Sequence, residues 1–181
     1  MVELLVYKGA QINAQNESGK TAIMLAAFSG KLNVLKELRS NGASYDIKDR
    51  SGCSALHYAV DGGNLDCIQY LLMDGLDVNI KDTTSCWTPL IRAASVGASK
   101  DVAELLIKYK ADINIVDKDN KNALMIAVIN GNQPFVQCLV ENGADLNITN
   151  EYGKTAYEMA VAMDRRRVVK YFDEYFEKQK G

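Results

Sequence analysis

Histidine and tryptophan each occur once in this chain, and proline occurs only twice in 181 residues. A catalytic histidine needs a nucleophile or carboxylate placed for proton transfer. His57 stands at a predicted helix start, which assigns it a structural role, hydrogen-bonding the backbone of the adjacent loop. The four cysteines, Cys53, Cys67, Cys86 and Cys138, form no close pair and lack metal-ligand spacing. Cys67 and Cys138 fall on apolar helix faces as small core residues, and a reduced, intracellular setting is expected. No apolar run approaches the length of a membrane span. The balance of 21 basic and 23 acidic residues leaves a net charge of −2, without the basic stripe of a general nucleic-acid surface. No phosphate-binding glycine loop is present: Asp61-Gly62-Gly63 reads as a helix end. The sequence therefore predicts no catalytic residue, no cofactor and no metal site.

What is present is a repeat. Asn16, Asp49, Asp82, Asp117 and Asn150 stand 33, 33, 35 and 33 residues apart, a period that marks stacked units. Each begins a turn, as in Asp49-Arg-Ser-Gly52, where glycine is free to take positive φ. Thr21, Ser54, Thr88, Asn122 and Thr155 then occupy equivalent helix-start positions, where a side-chain oxygen accepts from a free N–H. Pro89 suits the first helical position. A helix of about two turns follows and stops at Gly30, Gly63, Gly97 or Gly131, with Asp164 in the last copy; a left-handed residue is expected there. A second apolar-periodic helix comes next. The copy ends in an extended stretch such as Asp77-Val-Asn-Ile80. Asp77, Asp112 and Asp145 occur once per copy, so hairpin hydrogen bonds or solvation are expected of them, not a shared metal. The 35-residue copy holds one extra residue near Ser85-Cys86-Trp87 and another within 98–101, both in loops, where insertions are best tolerated.

Gly52-x-Ser-Ala-Leu-His57-x-Ala, Trp87-Thr-Pro-Leu90 and Asn142-Gly-Ala-Asp145 resemble the ankyrin repeat, and the likeness covers essentially the whole chain. Gly52 to Gly63, Trp87 to Arg92 and Asn150 to Lys154 also resemble the ankyrin region of the fibronectin type III and ankyrin repeat protein family, which is associated with nuclear and cytoplasmic regulatory roles. The resemblance implies an all-α repeat solenoid, each unit a helix-turn-helix plus β-hairpin, in a curved stack. There are departures: one copy carries Thr-Pro-Leu, one carries the histidine, and Lys110 and Asn120 replace glycines. The chain is read as a single domain over 1–181: a partial repeat at 1–15, repeats at 16–48, 49–81, 82–116 and 117–149, and a C-terminal capping repeat at 150–181.

Val2, Leu4 and Leu5 match the second helix of an incomplete first copy. They are expected to lack a partner helix and to fray, the chain being a fragment of a longer protein. At the other end Val168, Val169, Phe172 and Phe176 are expected inward. Arg165, Arg166 and Arg167 are read as a solvated face in preference to a nuclear signal.

The resemblance places partner binding on the turn tips and on the inner face of the first helices. The candidates are Phe28, Arg50, Asp61, Trp87, Val96, Lys118, Ile129 and Tyr152. Trp87 is chosen as anchor because aromatic side chains dominate binding when desolvated; the other reading is that it closes the irregular loop. By the same resemblance Asn79, Asn114 and Asn147 are candidate sites of asparaginyl β-hydroxylation. The expectation is a monomeric, non-catalytic module, cytoplasmic or nuclear, that binds a protein of unknown identity and neither nucleic acid nor membrane. The alternative is a structural spacer or brace that packs on a missing N-terminal region.

Overall fold

A computed structural model describes residues 9–179 of the chain; the expectations for Val2, Leu4 and Leu5 lie outside the described residues. Among those described there are ten helices: α1 Ala22–Phe28, α2 Leu32–Ser40, α3 Ala55–Asp61, α4 Leu65–Met73, α5 Pro89–Ser95, α6 Lys100–Lys108, α7 Ala123–Ile129, α8 Gln133–Glu141, α9 Ala156–Ala162 and α10 Arg166–Gln179. They fall in two compact units, Met1–Pro89 and Leu90–Gly181.

The turn that opens each copy is closed by one side chain. Asp49 Oδ1 accepts the N–H groups of Ser51 and Cys53, both at 2.8 Å, and Asp49 N–H donates to the Cys53 carbonyl at 3.0 Å. Asn16, Asp117 and Asn150 repeat this pattern. In the long copy Asp82 N–H reaches to the Trp87 carbonyl at 3.0 Å, one residue further. The extra residue therefore sits inside this turn, and Cys86 takes the left-handed conformation (φ 57°) that Gly52 holds elsewhere (φ 79°). Asn120 does the same in its copy (φ 57°), as asparagine tolerates. The hairpin arms are too short for a ladder: among the described residues the single bridge pair is Val116 with Asn122.

Helix starts use a shared device with different chemistry. The side chain three residues into the helix accepts the N–H of the cap residue. Glu158 Oε2 does so for Thr155 at 2.8 Å, His57 Nδ1 for Ser54 at 3.2 Å, and Met24 Sδ for Thr21 at 3.5 Å. The first is a full capping box, and the bonds from Thr155 hold the Glu158 carboxyl below its ordinary pKa. Helix ends are left-handed at Gly63 (φ 65°) and, without glycine, at Lys110 (φ 70°) and Asp164 (φ 51°).

In the first unit α1 packs on α3, α2 on α4, and each first helix on its own second helix. Leu35, Leu56, Ile68 and Leu71 are wholly buried there. In the second unit α7 packs on α9, α6 and α10 on α8, and the core holds Leu106, Leu124, Phe135 and Phe172. Each such side chain removed from water contributes about 1.5–3 kcal/mol. No single copy can bury its apolar face, so stability rests on the interfaces between copies. Cys67 and Cys138 are buried core residues as expected. On α10, Val168 and Phe172 are buried, while Val169 and Phe176 are partly covered. Among the described residues no helix is long and apolar enough to cross a membrane.

Candidate functional site

Backbone bonds align the turn tips within each unit. Arg50 N–H donates to the Ser18 carbonyl at 3.2 Å, and Thr83 N–H to the Ser51 carbonyl at 3.0 Å. Thr83 Oγ1 adds a second bond to the same carbonyl at 2.9 Å. In the second unit Glu151 N–H donates to the Asp119 carbonyl at 3.2 Å.

The ends of the first helices are aligned by side-chain donors that meet their unsatisfied carbonyls. Asn64 Nδ2 donates to the Phe28 carbonyl at 2.9 Å. Asn130 Nδ2 donates to Ala94 at 2.8 Å and Ser95 at 3.0 Å, and Arg165 donates to the Ile129 carbonyl. The three consecutive arginines are therefore not one solvated patch: Arg165 is half-buried in this bond and Arg166 pairs with Asp164 at 3.0 Å.

On that frame the first unit carries Phe28, Arg50, Asp61 and Trp87. Phe28 ends α1 with 48% of its surface exposed. Arg50 is exposed on its tip, while Asp61, the last residue of α3, and Trp87 are partly buried. The Trp87 carbonyl accepts from Asp82 N–H and, at 3.0 Å, from His57 Nε2. Ser54 N–H can only donate to Nδ1, so Nε2 carries the ring proton. His57 is fully buried and holds the adjacent loop through its backbone.

The second unit carries Val96, Lys118, Ile129 and Tyr152. Val96 is 48% exposed just beyond α5, and Tyr152 on its tip is 77% exposed. Lys118 is exposed on its tip, and Ile129, the last residue of α7, is half-buried. Asp77, Asp112 and Asp145 each accept a local N–H, from Asn79, Asn114 and Asn147 respectively, all at 2.9 Å. Asn114 Oδ1 also accepts the Asp145 N–H at 2.8 Å. Asn79 is partly buried, and Asn114 and Asn147 are exposed.

Among the exposed apolar residues that escaped the sequence reading are Leu25 on α1 and Val161 on α9. The residues equivalent to Leu25 include Tyr58, Ile126 and Met159, all buried; those equivalent to Val161 include Val60 and Val128, also buried. Among the first helices of its unit, α1 packs on α3 and α9 on α7. The signal was copy order, not residue type.

No group of histidine, cysteine, aspartate or glutamate among the described residues is arranged to hold a metal ion.

A family model described as ankyrin repeats (3 copies) matches residues 1–82 and 90–179, and one described as ankyrin repeats (many copies) matches 62–107. Over 46 residues the chain is 54% identical to the fibronectin type 3 and ankyrin repeat domains 1 protein of Mus musculus. Over 44 residues it is 46% identical to the fibronectin type 3 and ankyrin repeat domains protein 1 of Homo sapiens. These stretches are 25% and 24% of this chain, and each spans 13% of the relative's own length.

Proposed function

Since the chain belongs to the ankyrin repeat family, whose repeats are generally non-catalytic protein-interaction modules, we propose that it binds a protein partner through its turn tips and the exposed ends of its first helices. The supporting observation is the set of large apolar side chains that the core does not use there: Phe28, Val96, Tyr152 and Met163. Within each unit the aligned tips and helix ends form a rigid platform, which limits the ordering cost of association. Trp87 is the anchor of the first unit, presented by a turn that His57 and Asp82 hold at the backbone. Arg50, Asp61 and Lys118 supply charge around the apolar contacts, and Ile129 the apolar centre of the second unit. The module acts inside the cell, in the cytoplasm or nucleus, within a larger regulatory protein.

Loss of Trp87 is expected to weaken binding by about 2 kcal/mol or more, roughly thirtyfold in Kd. The test is capture from cell lysate by the wild-type chain and by the double variant Trp87→Ala, Ile129→Asp, with circular dichroism confirming that both are folded. A protein lost only with the variant supports this surface and identifies the partner. Equal capture by both counts against it, and favours the alternative of a spacer or brace. That alternative has its own observation, an apolar groove of about 470 Å³ lined by Ile12, Leu25, Ala26, Val34 and Leu38.

We also propose Asn79, Asn114 and Asn147 as substrates of an asparaginyl hydroxylase. Peptide mass spectrometry of protein purified from cells should show one added oxygen; its absence from all three peptides removes the idea.

A further inference from the structure

The outer face of the second unit carries a groove of about 530 Å³ between α8 and α10, a volume in the range of ligand clefts. It is built on second helices, away from the tips and first-helix ends. One wall is the row Gln133, Gln137 and Glu141, spaced by four residues and so on one face of α8. The other is the α10 face with Arg167, Lys170, Tyr171, Tyr175 and Lys178. By helical rise the α8 row runs about 12 Å and the α10 row about 16 Å.

Three cations, Arg167, Lys170 and Lys178, and two carboxylates, Glu141 and Glu174, line the groove, which leaves it net positive. Arg167 and Lys178 have no ion-pair partner among the described residues. Lys170 faces Glu174 at 3.8 Å with both side chains more than half exposed, a separation and exposure that hold little binding energy. The Glu141 carboxylate accepts from Gln137 Nε2 at 2.8 Å and keeps its negative charge. Between the cations stand two rings, Tyr171 and Tyr175, with centroids 6.3 Å apart. The Tyr171 hydroxyl is buried and has no hydrogen-bond partner among the described residues, an arrangement that costs stability. Burial, with Glu141 nearby, pushes its pKa up to about 12, so it stays a donor at neutral pH.

We propose that the α8/α10 groove docks an acidic peptide segment, its apolar side chains on Tyr171 and Tyr175 and its carboxylates on Arg167, Lys170 and Lys178. Two carboxylates about three helical turns apart reach both ends of the α10 row.

The test is selection of a displayed library of random peptides, about twelve residues long to match the row, against the full 181-residue chain. Fluorescence anisotropy then measures labelled copies of the selected peptides. Asp and Glu should be enriched on either side of an apolar centre. Arg167→Glu with Lys170→Glu should weaken binding by about tenfold or more, and Arg167→Gln with Lys170→Gln by less. Trp87→Ala with Ile129→Asp should leave it within about twofold, which separates this groove from the first-helix surface. Circular dichroism checks that each variant is folded. Failure to select any peptide, or selected peptides indifferent to charge reversal or lost with the Trp87 and Ile129 variant, overturns the proposal.

Discussion

Gly62→Ala is expected to destabilise the protein by about 3 kcal/mol or more, read as a fall in the urea midpoint. The backbone alone predicts the opposite. Gly62 ends α3 in an ordinary right-handed conformation, φ −78° and ψ −11°, where alanine normally stabilises by about 0.4–1 kcal/mol through the unfolded state. Space reverses the sign. A Cβ on Gly62 would lie 2.0 Å from the Phe28 carbonyl oxygen and 2.9 Å from its carbonyl carbon. Both are main-chain atoms at the end of α1, so no rotamer change relieves the clash. The added methyl also comes within 2.4 Å of Asn64 Nδ2, the group that donates to the same carbonyl. The helices must separate, or that bond must break. Gly63 is the internal comparison. It is left-handed at φ 65°, yet a Cβ there meets nothing within 4 Å, so Gly63→Ala should cost about 1–2 kcal/mol of backbone strain alone. A larger loss for Gly63→Ala than for Gly62→Ala would show that the close approach of α1 and α3 is not what this position protects.

His57→Leu should cost about 2–3 kcal/mol, although it exchanges one buried side chain for another of comparable volume. The loss is polar. Ser54 is fully buried, and its N–H would lose the His57 Nδ1 acceptor at 3.2 Å. The Trp87 carbonyl would keep only Asp82 N–H, loosening the six-residue turn that presents the tryptophan. His57→Gln is the informative partner. A glutamine oxygen can accept the cap N–H, as Glu158 does for Thr155, and its amide N–H can donate to the Trp87 carbonyl in place of Nε2. Most of the lost stability, and the affinity through Trp87, should therefore return. Chemical denaturation together with binding measurements reads the two effects. Equal losses for the leucine and glutamine variants would mean that the two hydrogen bonds contribute nothing and that the imidazole acts by shape alone.

Much of this architecture follows from local chemistry and is legible in the sequence. A side-chain oxygen at Asn16, Asp49, Asp117 or Asn150 closes a turn with N–H groups two and four residues on; composition and spacing are enough to place it. Helix starts at Thr21, Ser54 and Thr155 are local for the same reason, and the left-handed residues at Asn120 and Asp164 stand where glycine stands in other copies. The structural role of His57 could also be read from its position, though not its partner's identity beyond the adjacent loop.

Other features were decided by neighbours distant in sequence. Leu25 and Val161 look like core residues at their positions in the period, and their equivalents are buried, yet both are exposed. Arg165 reads as one of three solvated cations, but the Ile129 carbonyl of the preceding copy engages it. Gly62 resembles a spare glycine beside Gly63, and only the Phe28 carbonyl pressed against it makes a side chain impossible. The orphaned hydroxyl of Tyr171 likewise belongs to a groove that exists only when α8 and α10 lie side by side. The sequence by itself determined the repeat, its turns and its helix boundaries, because those depend on hydrogen bonds within a few residues. Burial, close approach and the surfaces left for a partner depend on contacts a whole repeat apart, and only the tertiary structure decided them.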